Sequence, residues 1–333
     1  MFKLLAQCAL LSFALSPCAA IAEPITLKLA FFTSDQSKIF NIAVRPFVDA
    51  VNAHEGIKIE TYPSGILGKD QAQQPQMVRD GVADIAFVVL GPTGNQFPDR
   101  SVMELPGLFN DMAEATLVCT RLIASGMMEG FSDFYVIGAF ATDPESIHTR
   151  PPVATLGDLK EKRIRANNML EAWVLAKLGM YPVVLPIGKT AEAISRGTID
   201  GAATAPLAMI DFGVGRVATH HFMLSLGPTV ITILMNRKKL ESLSKENQAV
   251  IRQYSGEWLA ARIVEGYAPY NKEIVEQLKS DPAREVVFPS QADINVAAMA
   301  FKATRMEWAE TSPHNRQLLN AAEAELRQLR STQ

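Results

Sequence analysis

Strand-like and helix-like segments alternate along this chain in two separate stretches, and that alternation constrains the fold more than any other feature. Thr26 to Phe32 reads as a strand, with Leu27, Leu29 and Phe31 at every second position and so on one face of the pleat. After Ser37, apolar residues at Ile39, Ile42, Ala43, Phe47, Ala50 and Val51 follow the helical period. Pro46 inside that run predicts a kink or a local distortion. Gly56 to Tyr62 is a second strand, closed by Pro63-Ser64-Gly65. A helix near Gln71 to Asp80 and a buried strand from Ile85 to Leu90, stopped by Gly91-Pro92, complete the first stretch.

The second stretch repeats the pattern. Arg163 to Ala166, Tyr181 to Leu185 and Ile199 to Thr204 read as strands, with helices over Met169 to Leu178 and Thr190 to Arg196 between them. Such alternation predicts an α/β fold with mostly parallel sheets, whose ligands gather at the carboxyl ends of the strands. Two units predict two lobes with a cleft between them. A strand-rich segment from His220 to Asn236 then carries the chain back towards the first lobe. From Ser244 to Leu278 the pattern is helical over an unusual length, with Pro269 expected to break or kink it. A last helical segment, about Gln291 to Arg330, is interrupted near Ser312-Pro313. The expected division is residues 23–142 in lobe I, with a return segment at about 231–270, and residues 143–230 in lobe II, with a C-terminal segment at about 271–333.

Residues 1–22 stand apart. Lys3 is followed by an apolar run from Leu4 to Leu15 and by Ala20-Ile21-Ala22, the pattern of a secretory signal peptide cleaved before Glu23. Pro17 fits poorly before a lipidated cysteine at Cys18, so a soluble periplasmic protein is expected. Cleavage would leave Cys119 as the one cysteine, too few for an internal disulfide, and about 310 residues to stabilise themselves by core burial. The formal charge of -3 shows no basic block, and nucleic acid is not an expected partner.

Within the second stretch, Asp158-Leu159-Lys160-Glu161-Lys162-Arg163-Ile164-Arg165 ends a strand just where a helix begins. A guanidinium fork and free helix N–H groups can converge at such a place on an anion, so a small carboxylate held by Arg165 is the first functional hypothesis. Arg163, two residues earlier, is read as solvated or structural. Catalytic motifs are wanting. Gly188-Lys189-Thr190 lacks the phosphate-loop glycine, since Val183 stands five residues earlier, and Gly213 to Ala218 mimics a dinucleotide fingerprint before a strand rather than a helix. The five histidines have no zinc-ligand spacing, no G-x-S-x-G is present, and Cys119 sits on an apolar helical face with Ala115, Leu122 and Ile123. No cofactor or metal is expected, and binding is favoured over catalysis.

The order of several phrases resembles the extracytoplasmic solute receptors of TRAP transporters, of the dicarboxylate-receptor (DctP) type. The phrases are Tyr62-Pro63-Ser64-Gly65-Ile66-Leu67-Gly68-Lys69-Asp70, Met77 to Ala86, Met103-Glu104-Leu105-Pro106-Gly107-Leu108-Phe109, the Arg165 segment, Leu178 to Pro186 and Thr198-Ile199-Asp200-Gly201-Ala202. The resemblance implies a two-lobe periplasmic binding protein fold with a long helix spanning both lobes, matched by Ser244 to Leu278. It implies capture of a small organic acid for an ion-driven membrane permease, with the carboxylate salt-bridged to the arginine at Arg165.

Departures from the family pattern bear on the ligand. Many relatives have glycine at the place of Glu161 and asparagine at that of Thr204. Sialic-acid receptors add an arginine in the region that reads Thr142-Asp143-Pro144-Glu145-Ser146 here. A monocarboxylate, such as a 2-oxo, 2-hydroxy or aromatic acid, is therefore expected ahead of a C4-dicarboxylate. A receptor for another transporter or a sensor, and an exported enzyme on the same scaffold, are the other readings. Besides Arg165 and Thr204, the candidate contacts are Phe32, Thr33 and Ser34 after the first strand, Leu90 and Gly91 after the third, Ser146, Asn167 and Asn168 at the helix start, Trp173 further along that helix, and Phe212. Apolar walls with few polar groups are expected around them.

Overall fold

A computed structural model describes residues 23–331. The chain begins with β1 (Ile25–Ala30), α1 (Arg45–Asn52), β2 (Ile57–Tyr62), α2 (Gln74–Arg79), β3 (Ile85–Val89), α3 (Met112–Ala124) and β4 (Phe134–Ala141). It continues with β5 (Ser146–Thr149), β6 (Arg163–Ala166), α4 (Met169–Lys177), β7 (Tyr181–Val184), α5 (Thr190–Ser195), β8 (Gly201–Thr204), α6 (Pro206–Asp211) and β9 (His220–Phe222). Then follow β10 (Val230–Asn236), α7 (Arg237–Ser242), α8 (Lys245–Gln253), α9 (Glu257–Ser280), β11 (Glu285–Val287), α10 (Gln291–Glu310) and α11 (Pro313–Ser331). The strands form two sheets, in the orders β2-β1-β3-β10-β4 and β11-β9-β5-β8-β6-β7.

Both sheets are more mixed than the alternation predicts. β1 runs parallel to β2 and β3, and β6 parallel to β7 and β8, as the strand–helix units require. β10, however, enters the first sheet antiparallel to both β3 and β4, and β5 enters the second antiparallel to β8 and β9. These are the strands by which the chain passes between lobes, so neither belongs to a strand–helix–strand unit.

Two prolines act differently from one another. Pro46 lies in the first turn of α1, where its missing N–H costs little, and a wide π-type turn over Phe40–Val44 precedes it. That is the expected local distortion. Pro269 does not break its helix: α9 runs unbroken from Glu257 to Ser280. The interruption falls earlier, between α8 and α9, where Gly256 adopts φ +63° and its N–H donates to the Ile137 carbonyl of β4 at 2.8 Å. Few residues other than glycine adopt that backbone conformation. The long helix α9 packs against α1, α3 and β4 of the first lobe and against α6 and β11 of the second.

One apolar cluster joins Leu27, Phe31 and Phe87 of the first lobe to Ile194 and Leu207 of the second through Ile263, Tyr267 and Ile274 of α9. The other face of the first sheet packs on α3 and on Leu318, Ala322 and Leu326 of α11. Ala297 and Phe301 of α10 join the second-lobe cluster with Val174 of α4. The two C-terminal helices thus join different clusters, α11 that of the first sheet and α10 that of the second lobe. α11 packs against α3. Gly227 marks a tight seam, since a Cβ there would lie 1.9 Å from the Glu104 carbonyl oxygen.

Candidate functional site

A cavity lies between the two sheets. Its first-lobe wall is built by Phe32 and Thr33 just beyond β1, Phe87 and Val89 of β3, and Ile231 of β10. The second-lobe wall has Arg165 at the end of β6, Asn167, Thr204 at the end of β8, Ala208 and Phe212. The carboxyl ends of parallel strands thus face the cavity from both sides, as an α/β architecture arranges. Phe32 and Phe87 form an aromatic wall with ring centroids 5.9 Å apart.

Arg165 is only 2% exposed, and its side chain is fixed by three acceptors. Its Nε–H donates to the Leu185 carbonyl at 2.8 Å, Nη1 to the Ala203 carbonyl at 3.1 Å, and Nη2 to Asn167 Oδ1 at 2.9 Å. A guanidinium has five N–H groups, so one remains on each terminal nitrogen. Among the described residues no carboxylate lies within ion-pair distance of it. Burial holds its pKa below the ordinary arginine value, while Glu145 and Glu171 act in the opposite sense from further off.

A second layer holds Asn167. Its Nδ2 donates to Thr229 Oγ1 at 3.0 Å, and the Thr229 hydroxyl donates in turn to Glu145. Its backbone N–H donates to Glu171 Oε2 at 2.5 Å. Glu171 is hydrogen-bonded to Glu145, and burial, reinforced by the Glu145 charge, pushes the Glu171 carboxyl well above the usual range. Asn167 also closes on the first lobe, because a Cβ at Gly91 would meet its Nδ2 at 2.6 Å. A side chain at Gly91 would push the Asn167 amide aside.

Of the residues expected at the site, Arg165, Thr204, Phe32, Thr33, Asn167 and Phe212 line the cavity. The others do not. Leu90 is fully buried in the cluster on the far face of the first sheet, and the Ser34 hydroxyl accepts from the Gln36 N–H in the turn after β1. Gly91 packs under Asn167, and Ser146 is buried in β5 opposite Thr204. Asn168 caps α4, accepting from the Glu171 N–H and donating to Glu104 Oε2, and lines a smaller polar pocket behind the cavity. Trp173 is 38% exposed with Lys177 over its ring, in neither cavity nor core. Glu145, Thr229, Phe87, Ile231 and Tyr267 line the cavity without having been singled out. Alternation explains two of the exchanges: Val89 and Glu145 face the cavity, so their successors Leu90 and Ser146 face away.

The remaining chemistry-bearing groups are structural. Arg163 pairs with Asp200 at 2.9 Å on the surface. Cys119 is buried, and burial pushes its thiol up to about 12. His148 and His221 share a hydrogen bond of 2.8 Å and are held neutral by burial, at about 4 and about 3.

Known proteins agree with this architecture. The model of the family described as bacterial extracellular solute-binding protein, family 7 (DctP) matches residues 30–311. A solute-binding protein from Chromohalobacter salexigens is 22% identical over 201 residues, 59% of this chain and 60% of that protein. A marine metagenome TRAP solute binding protein specific for aromatic acid ligands, solved with 3-hydroxybenzoate, is 25% identical. It superposes with a TM-score of 0.85 over 92% of this chain and 99% of its own. A TRAP solute binding protein from Rhodoferax ferrireducens T118, solved with copurified benzoate, gives a TM-score of 0.83 at 24% identity, over 92% of this chain and 99% of that one. With its two lobes, its crossing helix and a family match over most of its length, this chain belongs to the bacterial extracellular solute-binding proteins of family 7, the DctP-type receptors of TRAP transporters.

Proposed function

We propose that the protein captures a small monocarboxylate, an aromatic acid before a 2-oxo or 2-hydroxy acid, and presents it to an ion-driven TRAP permease. The observation that carries this reading is Arg165: a buried guanidinium, fixed by three neutral acceptors, with one N–H left on each terminal nitrogen beside an apolar cavity. Two parallel N–H donors suit the two oxygens of a carboxylate. Among the described residues Arg165 is the one basic side chain of the inner cavity wall, which supports one carboxylate there, while Lys69 and Lys189 line the wider cleft that shares Phe32, Thr33, Asn167 and Phe212 with it. Phe32, Phe87 and Phe212 supply the apolar surface on which a ring packs. The marine metagenome relative, specific for aromatic acids, supports the same class. Thr33, Asn167 and Thr204 are proposed as further contacts.

A family of solute-binding proteins supports capture rather than turnover. An extracellular family supports a periplasmic protein, with residues 1–22, which lie outside the described residues, as its cleaved signal peptide. A thermal-shift screen of a carboxylic-acid library tests the reading. At least one aromatic monocarboxylate should raise the melting temperature of the wild type and leave that of Arg165→Ala unchanged. Equal stabilisation of the two proteins would reject it.

A further inference from the structure

Tyr267 stands in the middle of α9, and its side chain is fully buried in the cluster that joins the two lobes. Its ring packs on Phe140 of β4 with centroids 6.2 Å apart, so it belongs to the first-lobe wall, facing the wall that carries Arg165. It lines the cavity, yet its hydroxyl has no hydrogen-bond partner among the described residues. A buried hydroxyl normally finds a partner, because leaving it unmade is costly. Here the partner must come from within the cavity.

The charges around this hydroxyl say which partner fits. Asp143, Asp211 and Glu145 are the groups that act on it electrostatically, and all three are acidic. Among the described residues the inner wall of the cavity has no basic side chain other than Arg165, and Lys69 and Lys189 line the wider cleft beyond Phe32 and Phe212. A second carboxylate beside Tyr267 would meet these acidic groups, which Lys272 and Lys38 offset only from outside the cavity wall. A hydroxyl or carbonyl oxygen carries no net charge and can accept from, or donate to, the phenol.

We propose that the Tyr267 hydroxyl is a second ligand contact, and that it selects monocarboxylates bearing an uncharged oxygen, a hydroxy-substituted aromatic acid above all, over dicarboxylates. This rests on the reading that Arg165 holds the carboxylate. The two contacts then read opposite ends of one molecule: Arg165 requires an acid, and Tyr267 distinguishes a hydroxylated acid from a bare or doubly charged one.

Titration calorimetry with benzoate, the three hydroxybenzoate isomers, isophthalate and terephthalate tests it on the wild type, Tyr267→Phe and Arg165→Ala. At least one hydroxybenzoate should bind the wild type about threefold to tenfold tighter than benzoate, the range of one neutral hydrogen bond. Both dicarboxylates should bind no tighter than benzoate. Tyr267→Phe should erase the hydroxybenzoate advantage while its benzoate affinity stays within about twofold of wild type. The proposal is overturned if the advantage is absent in the wild type or survives in Tyr267→Phe, if benzoate affinity falls in step with it, or if a dicarboxylate binds tightest. Undiminished benzoate binding by Arg165→Ala, or no binding of any of these acids by the wild type, would instead overturn the reading on which the proposal rests.

Discussion

Arg165→Lys is the substitution that separates a bidentate anchor from a mere positive charge. In the wild type the Leu185 and Ala203 carbonyls and Asn167 Oδ1 hold the guanidinium at 2.8, 3.1 and 2.9 Å, which orients its two remaining N–H groups without any help from a ligand. A hydrogen bond to a charged partner contributes about 1.5–3 kcal/mol, so a carboxylate held by both is worth about 3–6 kcal/mol, or roughly a hundredfold to ten-thousandfold in Kd. Lysine has one nitrogen, which cannot reach three separated acceptors and also present a planar pair of donors. At best it keeps one ligand bond, so Arg165→Lys should weaken binding by about tenfold to a hundredfold, and Arg165→Ala by the full amount. Titration calorimetry with an acid identified by screening measures both. Circular dichroism of the unliganded variants checks that they fold, since either change leaves buried carbonyls without their donor. An Arg165→Lys variant that binds within threefold of wild type would refute the bidentate argument, and Arg165→Ala within tenfold would refute the anchor itself.

Three further outcomes follow from other parts of the structure. Burial raises the Glu104 carboxyl to about 7, against the attraction of Arg100 and with some help from Glu145. The folded protein therefore holds this proton more tightly than the unfolded chain, and the associated stability, on the order of 3 kcal/mol, is full below about pH 4.5 and lost as pH rises to about 7. Melting curves of Glu104→Gln and wild type should diverge in the variant's favour between pH 5 and pH 8; parallel curves would contradict the assignment. Glu161 sits at φ +61°, the turn position where the family resemblance places glycine. Glu161→Gly should stabilise by up to about 1 kcal/mol in urea unfolding, the relief of left-handed strain outweighing the added freedom of the unfolded chain. A loss of stability would count against that balance. Gly227→Ala would drive a Cβ to 1.9 Å from the Glu104 carbonyl oxygen and should destabilise by about 3 kcal/mol, whereas a neutral result would show that the seam gives way.

What could be read from the residues alone was what depends on local pattern. β6 runs from Arg163 to Ala166 as expected, because its strand residues are bounded by turn residues and followed by the Asn168 cap of α4. The cavity residues found in advance (Phe32, Thr33, Asn167, Thr204 and Phe212) mostly follow the ends of strands, where an α/β fold places its ligands. One position either way was beyond that reasoning, as Leu90 and Ser146 show, because a single residue turns a side chain to the other face. β4 was missed, although Phe134 to Ala141 is a strand, because seven of its eight residues are apolar and no alternation marks them. Tyr267 carried no local signal at all. It recurs with Ile263 and Ile274 as one more apolar position of a long helix, and only the way α9 crosses both lobes brings it to the cavity. Pro269 does not end its helix, which runs on to Ser280, and Gly256 supplies the break.

The central claim is that one carboxylate is held by Arg165 in the cavity between the lobes. A crystal structure with the tightest acid from the screen tests it most directly. It should show both carboxylate oxygens within about 3 Å of Arg165 Nη1 and Nη2, with the rest of the molecule against Phe32, Phe87 and Phe212. An acid bound outside this cavity, or inside it with its carboxylate turned away from Arg165, would contradict the account.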